Sequence, residues 1–97
     1  MSVSILKTAE DLVGGDRGQD YGHPADDFEK TSKIWSAILG CKVSPEQVAL
    51  CMIGVKISRL CNSYKEDSVI DIAGYARTLQ MVHEYRENKD AEQQQVY

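Results

Sequence analysis

Apolar residues recur every three or four positions along most of this chain, and nowhere do they alternate with polar residues over a useful length. The three-to-four spacing marks one face of an α-helix, whereas a half-buried strand would alternate with a period of two. The pattern therefore predicts an all-α protein built as a small bundle of about four helices. We place these helices at residues 3–13, 24–39 and 45–60, and from residue 67 to beyond residue 85.

Local signals set the helix boundaries. Ser44, Pro45 and Gln47 match a capping box, in which two side chains bond the free N–H groups at a helix start. The sequence becomes polar beyond the fourth helix and has nothing there to bury. We therefore expect residues 1–87 to form a single helical domain and residues 88–97 to form a flexible tail.

The third helix is apolar on nearly all sides between residues 48 and 60. Such a helix lies at the centre of a domain or in a subunit interface, and so small a domain has little else to cover it. We therefore expect a homo-oligomer. Lys56 is an exception on this helix, and an unpaired buried charge is costly, so we expect a carboxylate of the fourth helix beside it. Asp71 is our candidate, with Arg59 as the other cation that it could meet.

Charge and cysteine content narrow the class of partner. The net charge of −4 argues against a protein that binds nucleic-acid backbone regardless of sequence, because such proteins need a basic surface. No apolar run is long enough for a membrane span or a secretion signal, so we expect a cytoplasmic protein. Cys41, Cys51 and Cys61 lack metal-type spacing and are expected to be reduced structural thiols, with Cys51 packed as a small hydrophobe.

The fourth helix carries two different faces. One is an apolar stripe made of Val69, Ile72, Ala73, Ala76 and Leu79, which His83 extends as an expected core or interface histidine. The opposite one gathers Asp67, Asp71, Gly74, Tyr75 and Thr78. A glycine inside a helix costs about 1 kcal/mol relative to alanine, so Gly74 indicates that a backbone or a ligand comes close. We expect this second face to carry the function.

A glycine-rich connection over residues 14–24 precedes the second helix. It brings Arg17, Tyr21 and His23 to a helix N-terminus, where free N–H groups and the helix dipole favour an anion such as phosphate. The alternative is a glycine-rich turn in which Tyr21 packs over the domain and His23 caps the helix.

Acidic residues at the starts of the second and fourth helices could face each other and hold Mg²⁺. The ligands would be Asp26, Glu29, Asp67 and Asp71. The alternative is that the helix dipole alone favours acidic residues in a first turn. The helix dipole does not account for Asp71, because Asp71 lies a full turn inside the fourth helix.

Four segments in this order, DYGHP, IWSAILG, VALCMIGVKISRL and DSVIDIAGYA, resemble a small all-α domain family of bacteriophages and prophages, over roughly residues 12–82. The layout is more distantly similar to MazG-like nucleoside triphosphate pyrophosphohydrolases. The first resemblance implies a phage-encoded protein of the host cytoplasm. The second implies acidic clusters that hold Mg²⁺ over a nucleotide.

Three functions are compatible with these features, and we favour the first. It is an oligomer that binds a nucleotide-like phosphorylated small molecule and so sequesters a host antiviral signal. The residues expected to contact that ligand are Arg17, Tyr21, His23, Lys56, Arg59, Asp67, Asp71 and Tyr75. The second is a Mg²⁺-dependent pyrophosphohydrolase that uses the four carboxylates named above. The third is a protein-interaction module that docks on a host protein through the fourth helix and the tail.

Overall fold

The computed structural model describes residues 4–15 and 22–95, with side chains up to Ala91. Four helices follow one another: α1 (Ile5–Gly14), α2 (Pro24–Leu39), α3 (Pro45–Asn62) and α4 (Glu66–Gln95). These residues contain no strand, so the predicted all-α class is confirmed. None of the described helices combines the length and the apolar character that crossing a membrane requires.

The helix ends follow the local chemistry of the sequence. Ser44 N–H donates to Gln47 Oε1 at 2.9 Å and Gln47 N–H donates to Ser44 Oγ at 3.1 Å, which confirms the capping box of α3. Gly40 ends α2 with a φ of 70°, a left-handed conformation that glycine adopts without steric cost. His23 caps α2, because its Nδ1 accepts the N–H of Ala25 at 3.0 Å.

Helix α4 is the central element and packs against each of the other three helices, while α2 also packs against α3. Three described residues of α4 are buried, namely Ser68, Thr78 and Val82, and Asp71 and Tyr75 on the same side of the helix are half-buried. Most of the opposite apolar stripe is half-buried, although Ala76 is exposed. The face expected to carry the function therefore includes Thr78, which is buried in the bundle.

The buried apolar core of the described residues is small. It consists of Ala9, Val13, Ala25, Val48, Ala49 and Val82. Large apolar side chains of α2 and α3 remain exposed, among them Ile34, Ile38, Leu50 and Ile57. Helix α3, which the sequence predicts to be enclosed on most sides, is thus open along one side in the single chain.

Three expectations concern the surface of the chain. Helix α4 continues to Gln95 and so includes most of the segment expected to form a flexible tail, while the division into domain and tail stays a prediction. Alanine, glutamate, glutamine and lysine are strong helix formers, so a polar composition ends the packing there but not the helix. Cys51 is exposed, so it is not packed within this chain. His83 is also exposed and therefore lies outside the core, and its place in an interface stays a prediction. With α4 so long, the molecule measures 54 × 31 × 21 Å.

Candidate functional site

A cavity of about 380 Å³ lies between α2, α3 and α4, beside the end of α1. Its walls include Phe28 and Trp35 of α2, Met52 of α3 and Tyr75 of α4, and we call it the aromatic cavity. Its volume falls within the range of sites that bind small molecules. The sequence predicts that Tyr75 binds ligand, and the structure places Tyr75 in the wall of this cavity.

Helix geometry explains how the aromatic rings come together. Phe28, Thr31 and Trp35 are spaced by three and four residues, so they share one side of α2. The ring centroids of Phe28 and Tyr75 are 6.4 Å apart and their planes are tilted by 51°, as in favourable aromatic pairs. Aromatic walls with a few polar groups are typical of sites that hold a planar ring.

The polar groups of the aromatic cavity include Asp27, Thr31 and Thr78. Among the described lining residues, Asp27 is the charged one. A carboxylate accepts hydrogen bonds from N–H and hydroxyl groups, and it repels a phosphate. The cavity therefore suits the uncharged part of a ligand, such as a heterocyclic ring or a sugar.

An ion pair lies one helical turn away from the aromatic cavity. Lys56 Nζ is 3.0 Å from Asp71 Oδ2, and the two side chains are 13% and 27% exposed. This confirms the expected pairing of Lys56 with a carboxylate of the fourth helix. Lys56 follows Met52 by four positions and Asp71 precedes Tyr75 by four, so the pair extends the wall of the cavity. Asp71 therefore balances the charge of Lys56, and the contact of Lys56 with a ligand stays a prediction.

The other residues predicted to bind ligand are dispersed. His23 caps α2, and its ring centroid lies 5.3 Å from that of Tyr85. Arg59 and Asp67 are exposed and lie outside the aromatic cavity. Arg17 and Tyr21 lie outside the described residues. Among the described residues predicted to bind ligand, Tyr75 therefore lines the aromatic cavity, whereas His23, Arg59 and Asp67 do not.

The four carboxylates predicted to hold Mg²⁺ are not assembled into one cluster. Asp26 and Asp67 are exposed, Glu29 lines a different cavity, and Asp71 is paired with Lys56. Within residues 4–15 and 22–95, no three histidine, cysteine, aspartate or glutamate residues form a group that could hold a metal. The Mg²⁺ assignment stays a prediction.

A second cavity of about 490 Å³ adjoins α2, the start of α3 and the later part of α4. Its basic side chains are Lys33, Lys42, Arg86 and Lys89, and its acidic ones are Glu29 and Asp90. This cluster was not predicted from the sequence, because its members come from three separated segments. The aromatic lining was missed for another reason, since the spacing of Phe28 and Trp35 is the same for a cavity wall and for a core.

Glu46 joins the start of α3 to the later part of α4. Its Oε1 accepts a hydrogen bond from Arg86, and its Oε2 lies 3.6 Å from His83 Nδ1. Burial alone would raise the pKa of Glu46. Hydrogen bonds from its own backbone N–H, from Arg86 and from His83, with the charge of Arg86, outweigh burial and lower the pKa below 4.5.

This lowered pKa predicts a specific acid sensitivity. A carboxylate whose pKa is lower in the folded than in the unfolded state contributes stability above its unfolded pKa, and loses it as the pH falls through the folded value. We expect Glu46→Gln to flatten the loss of stability below a pH of about 4.5, measured by urea unfolding at a series of pH values. Glu10→Gln, an exposed change on α1, is the control. Equal acid sensitivity of Glu46→Gln and the unmodified chain would contradict this role.

Comparisons with known proteins give a family but no activity. A family model described as a domain of unknown function, DUF6378, matches residues 4–83. The chain is 45% identical over 80 residues to the Gene 55 protein of Mycobacterium phage L5, covering 80% of this chain and 51% of that protein. It is 39% identical over 85 residues to the Gene 55 protein of Mycobacterium phage D29, covering 87% and 56%. The chain thus spans about half the length of these curated relatives. No solved structure matches it.

Proposed function

We propose a function from the geometry of this chain, which belongs to the DUF6378 family and is similar to the Gene 55 proteins of two phages. The protein binds a small molecule of nucleotide type, with the ring of that molecule in the aromatic cavity, and it holds the molecule without cleaving it. The observation that carries this proposal is the cavity itself, with Phe28, Trp35 and Tyr75 in its walls.

The lining supports a nucleotide-type ligand for two reasons. Aromatic side chains stack on nucleobases, and each such stack contributes about 1–3 kcal/mol. Asp27, Thr31 and Thr78 supply hydrogen-bonding groups for the amino groups of a base or the hydroxyls of a sugar. We place the phosphate outside the aromatic cavity, because Asp27 would repel it.

Binding without cleavage is favoured by the residues in the wall. Hydrolysis needs groups positioned to move protons or to activate water. The described lining offers a single carboxylate, Asp27, and the nearby Asp71 is already paired with Lys56. A Mg²⁺-dependent pyrophosphohydrolase remains the alternative, and it differs from a binding protein in releasing pyrophosphate.

The phage relatives suggest what such binding achieves. Their similarity supports a protein that acts in an infected cell. We therefore extend the proposal to a host nucleotide used as an antiviral signal, which the protein would remove from solution by sequestration.

Trp35→Ala tests the proposal directly. We expect it to weaken nucleotide binding about five- to 150-fold, because one aromatic stack is lost. Native mass spectrometry with a panel of nucleosides, nucleotides and cyclic nucleotides, with and without Mg²⁺, identifies the ligand, and calorimetry measures the affinity. Trp35→Phe should retain most of the binding. Tyr64→Ala, which removes an aromatic ring that is 74% exposed, is the matched control.

Two outcomes would contradict the proposal. If no member of the panel is retained, the cavity does not serve nucleotides, and a host protein becomes the partner to seek. If Mg²⁺-dependent release of pyrophosphate is detected and Asp71→Asn abolishes it without unfolding the chain, the protein is a hydrolase.

A further inference from the structure

The exposed residues of α3 include an uncharged stripe that runs along the helix, and the exposed Val55 and Arg59 lie to one side of it. The residues on it are Gln47, Leu50, Cys51, Gly54, Ile57, Ser58 and Cys61, and we call them the α3 face. Their spacing of three and four residues makes a continuous stripe, as in the seam of a coiled coil. Leu50 is 53% exposed and Ile57 is 50% exposed. A stripe of this kind with large apolar side chains in water indicates a contact surface.

Gly54 lies at the centre of the α3 face. A methyl group added there would meet nothing within 4 Å, and its φ is not positive, so neither packing nor backbone conformation within this chain requires glycine. Glycine nevertheless disfavours a helix relative to alanine. Gly74 differs, since a methyl group there would lie 3.6 Å from Val13 Cγ2. Contacts within the single chain therefore do not account for Gly54, and a mid-helix glycine is suited to the close approach of another backbone.

We propose that a second copy of this chain packs on the α3 face, with the two α3 helices antiparallel and crossing at Gly54. If the two-fold axis passes through Gly54, a residue that follows Gly54 by a given number of positions in one copy faces the residue that precedes Gly54 by the same number in the other copy. Leu50 then faces Ser58, and Ile57 faces Cys51, so a large side chain meets a small one each time. Such self-complementary packing is what a two-fold interface requires.

The absence of charge supports a second copy over an unrelated partner. In a two-fold interface each patch meets itself, so a charged patch would place like charges together. None of the seven residues of the α3 face is charged, and Lys56 of the same helix turns inward to Asp71. The interface goes beyond the proposed ligand binding and does not depend on it.

Gly54→Ala tests whether two α3 helices cross at this glycine. We expect native mass spectrometry and light scattering to show a dimer of the unmodified chain. In Gly54→Ala the dimer dissociation constant should rise about tenfold or more, because the added methyl groups overpack the crossing. Gly74→Ala, the matched glycine change inside the bundle, should leave it unchanged. Ile57→Lys should give a folded monomer, because the side chain that it replaces is exposed in the single chain.

A disulfide cross-link tests the same interface by stabilising the dimer instead of weakening it. Because Ile57 faces Cys51 across the axis, Ile57→Cys should form a disulfide-linked dimer when treated with oxidised glutathione. Tyr64→Cys, another exposed position, should not. A monomer at all concentrations would overturn the proposal. So would a trimer or larger assembly, or a dimer whose dissociation constant neither Gly54→Ala nor Ile57→Lys changes.

Discussion

Replacing Lys56 with methionine should destabilise the protein by about 2–3 kcal/mol. The change keeps a long unbranched apolar side chain but leaves Asp71 without its partner at 3.0 Å. Removing one member of a fully buried pair typically costs about 3–5 kcal/mol, and we expect less because Asp71 is 27% exposed and keeps some contact with water. The free energy of unfolding, measured in urea, reports the effect.

A double-mutant cycle shows whether the pair itself is responsible. Asp71→Asn should also destabilise the fold, whereas Lys56→Met combined with Asp71→Asn should cost less than the sum of the two single changes, since no charge is then left unpaired. Lys30→Met, an exposed change on α2, is the control. Lys56→Met with no larger effect than Lys30→Met would show that water satisfies Asp71 in place of the lysine.

Gly74→Leu should detach α1 from the bundle and lower the free energy of unfolding by about 1–3 kcal/mol. A methyl group at Gly74 would make an ordinary contact with Val13, but a longer side chain has no room against it. Ala9 and Val13 are the buried residues of α1, so displacing Val13 removes much of its packing. Gly74→Ala should instead stabilise the protein by about 0.5–1 kcal/mol, because alanine favours the helix.

Hydrogen exchange distinguishes local detachment from global loss of stability. In Gly74→Leu the amides of α1 should exchange faster than those of α3, because α1 packs on α4 and opens separately. Uniform acceleration over all helices would mean that α1 and the bundle unfold as one unit. If Gly74→Leu were as stable as Gly74→Ala, the close contact with Val13 would be contradicted.

Features fixed by neighbouring residues could be predicted from the sequence. The capping box at Ser44 and the end of α2 at Gly40 depend on contacts within a few residues. The Lys56–Asp71 pair was predictable for a different reason, because a charge on an apolar helix needs a partner and the fourth helix carried the candidate.

The site itself depends on how separate helices pack, and the sequence pattern does not contain that information. Periodicity identifies which residues share a face of α4 but not which neighbour that face meets. The face with Tyr75 and Thr78 was therefore expected to carry the function, and the pattern did not show that Thr78 is buried in the bundle, with 7% of its surface exposed. Phe28 and Trp35 likewise line a cavity because α2, α3 and α4 leave a gap beside them, which no local spacing reveals.

The length of α4 also has a hydrodynamic consequence. The radius of gyration is 15.1 Å, compared with about 12.5 Å for a compact chain of the same length. An elongated particle experiences more friction than a sphere of equal mass, so a monomer will elute early from a sizing column and tumble anisotropically in NMR relaxation experiments. Judged by its elution volume alone, an elongated monomer would resemble a compact dimer. Light scattering and native mass spectrometry distinguish the two, because they report mass independently of shape.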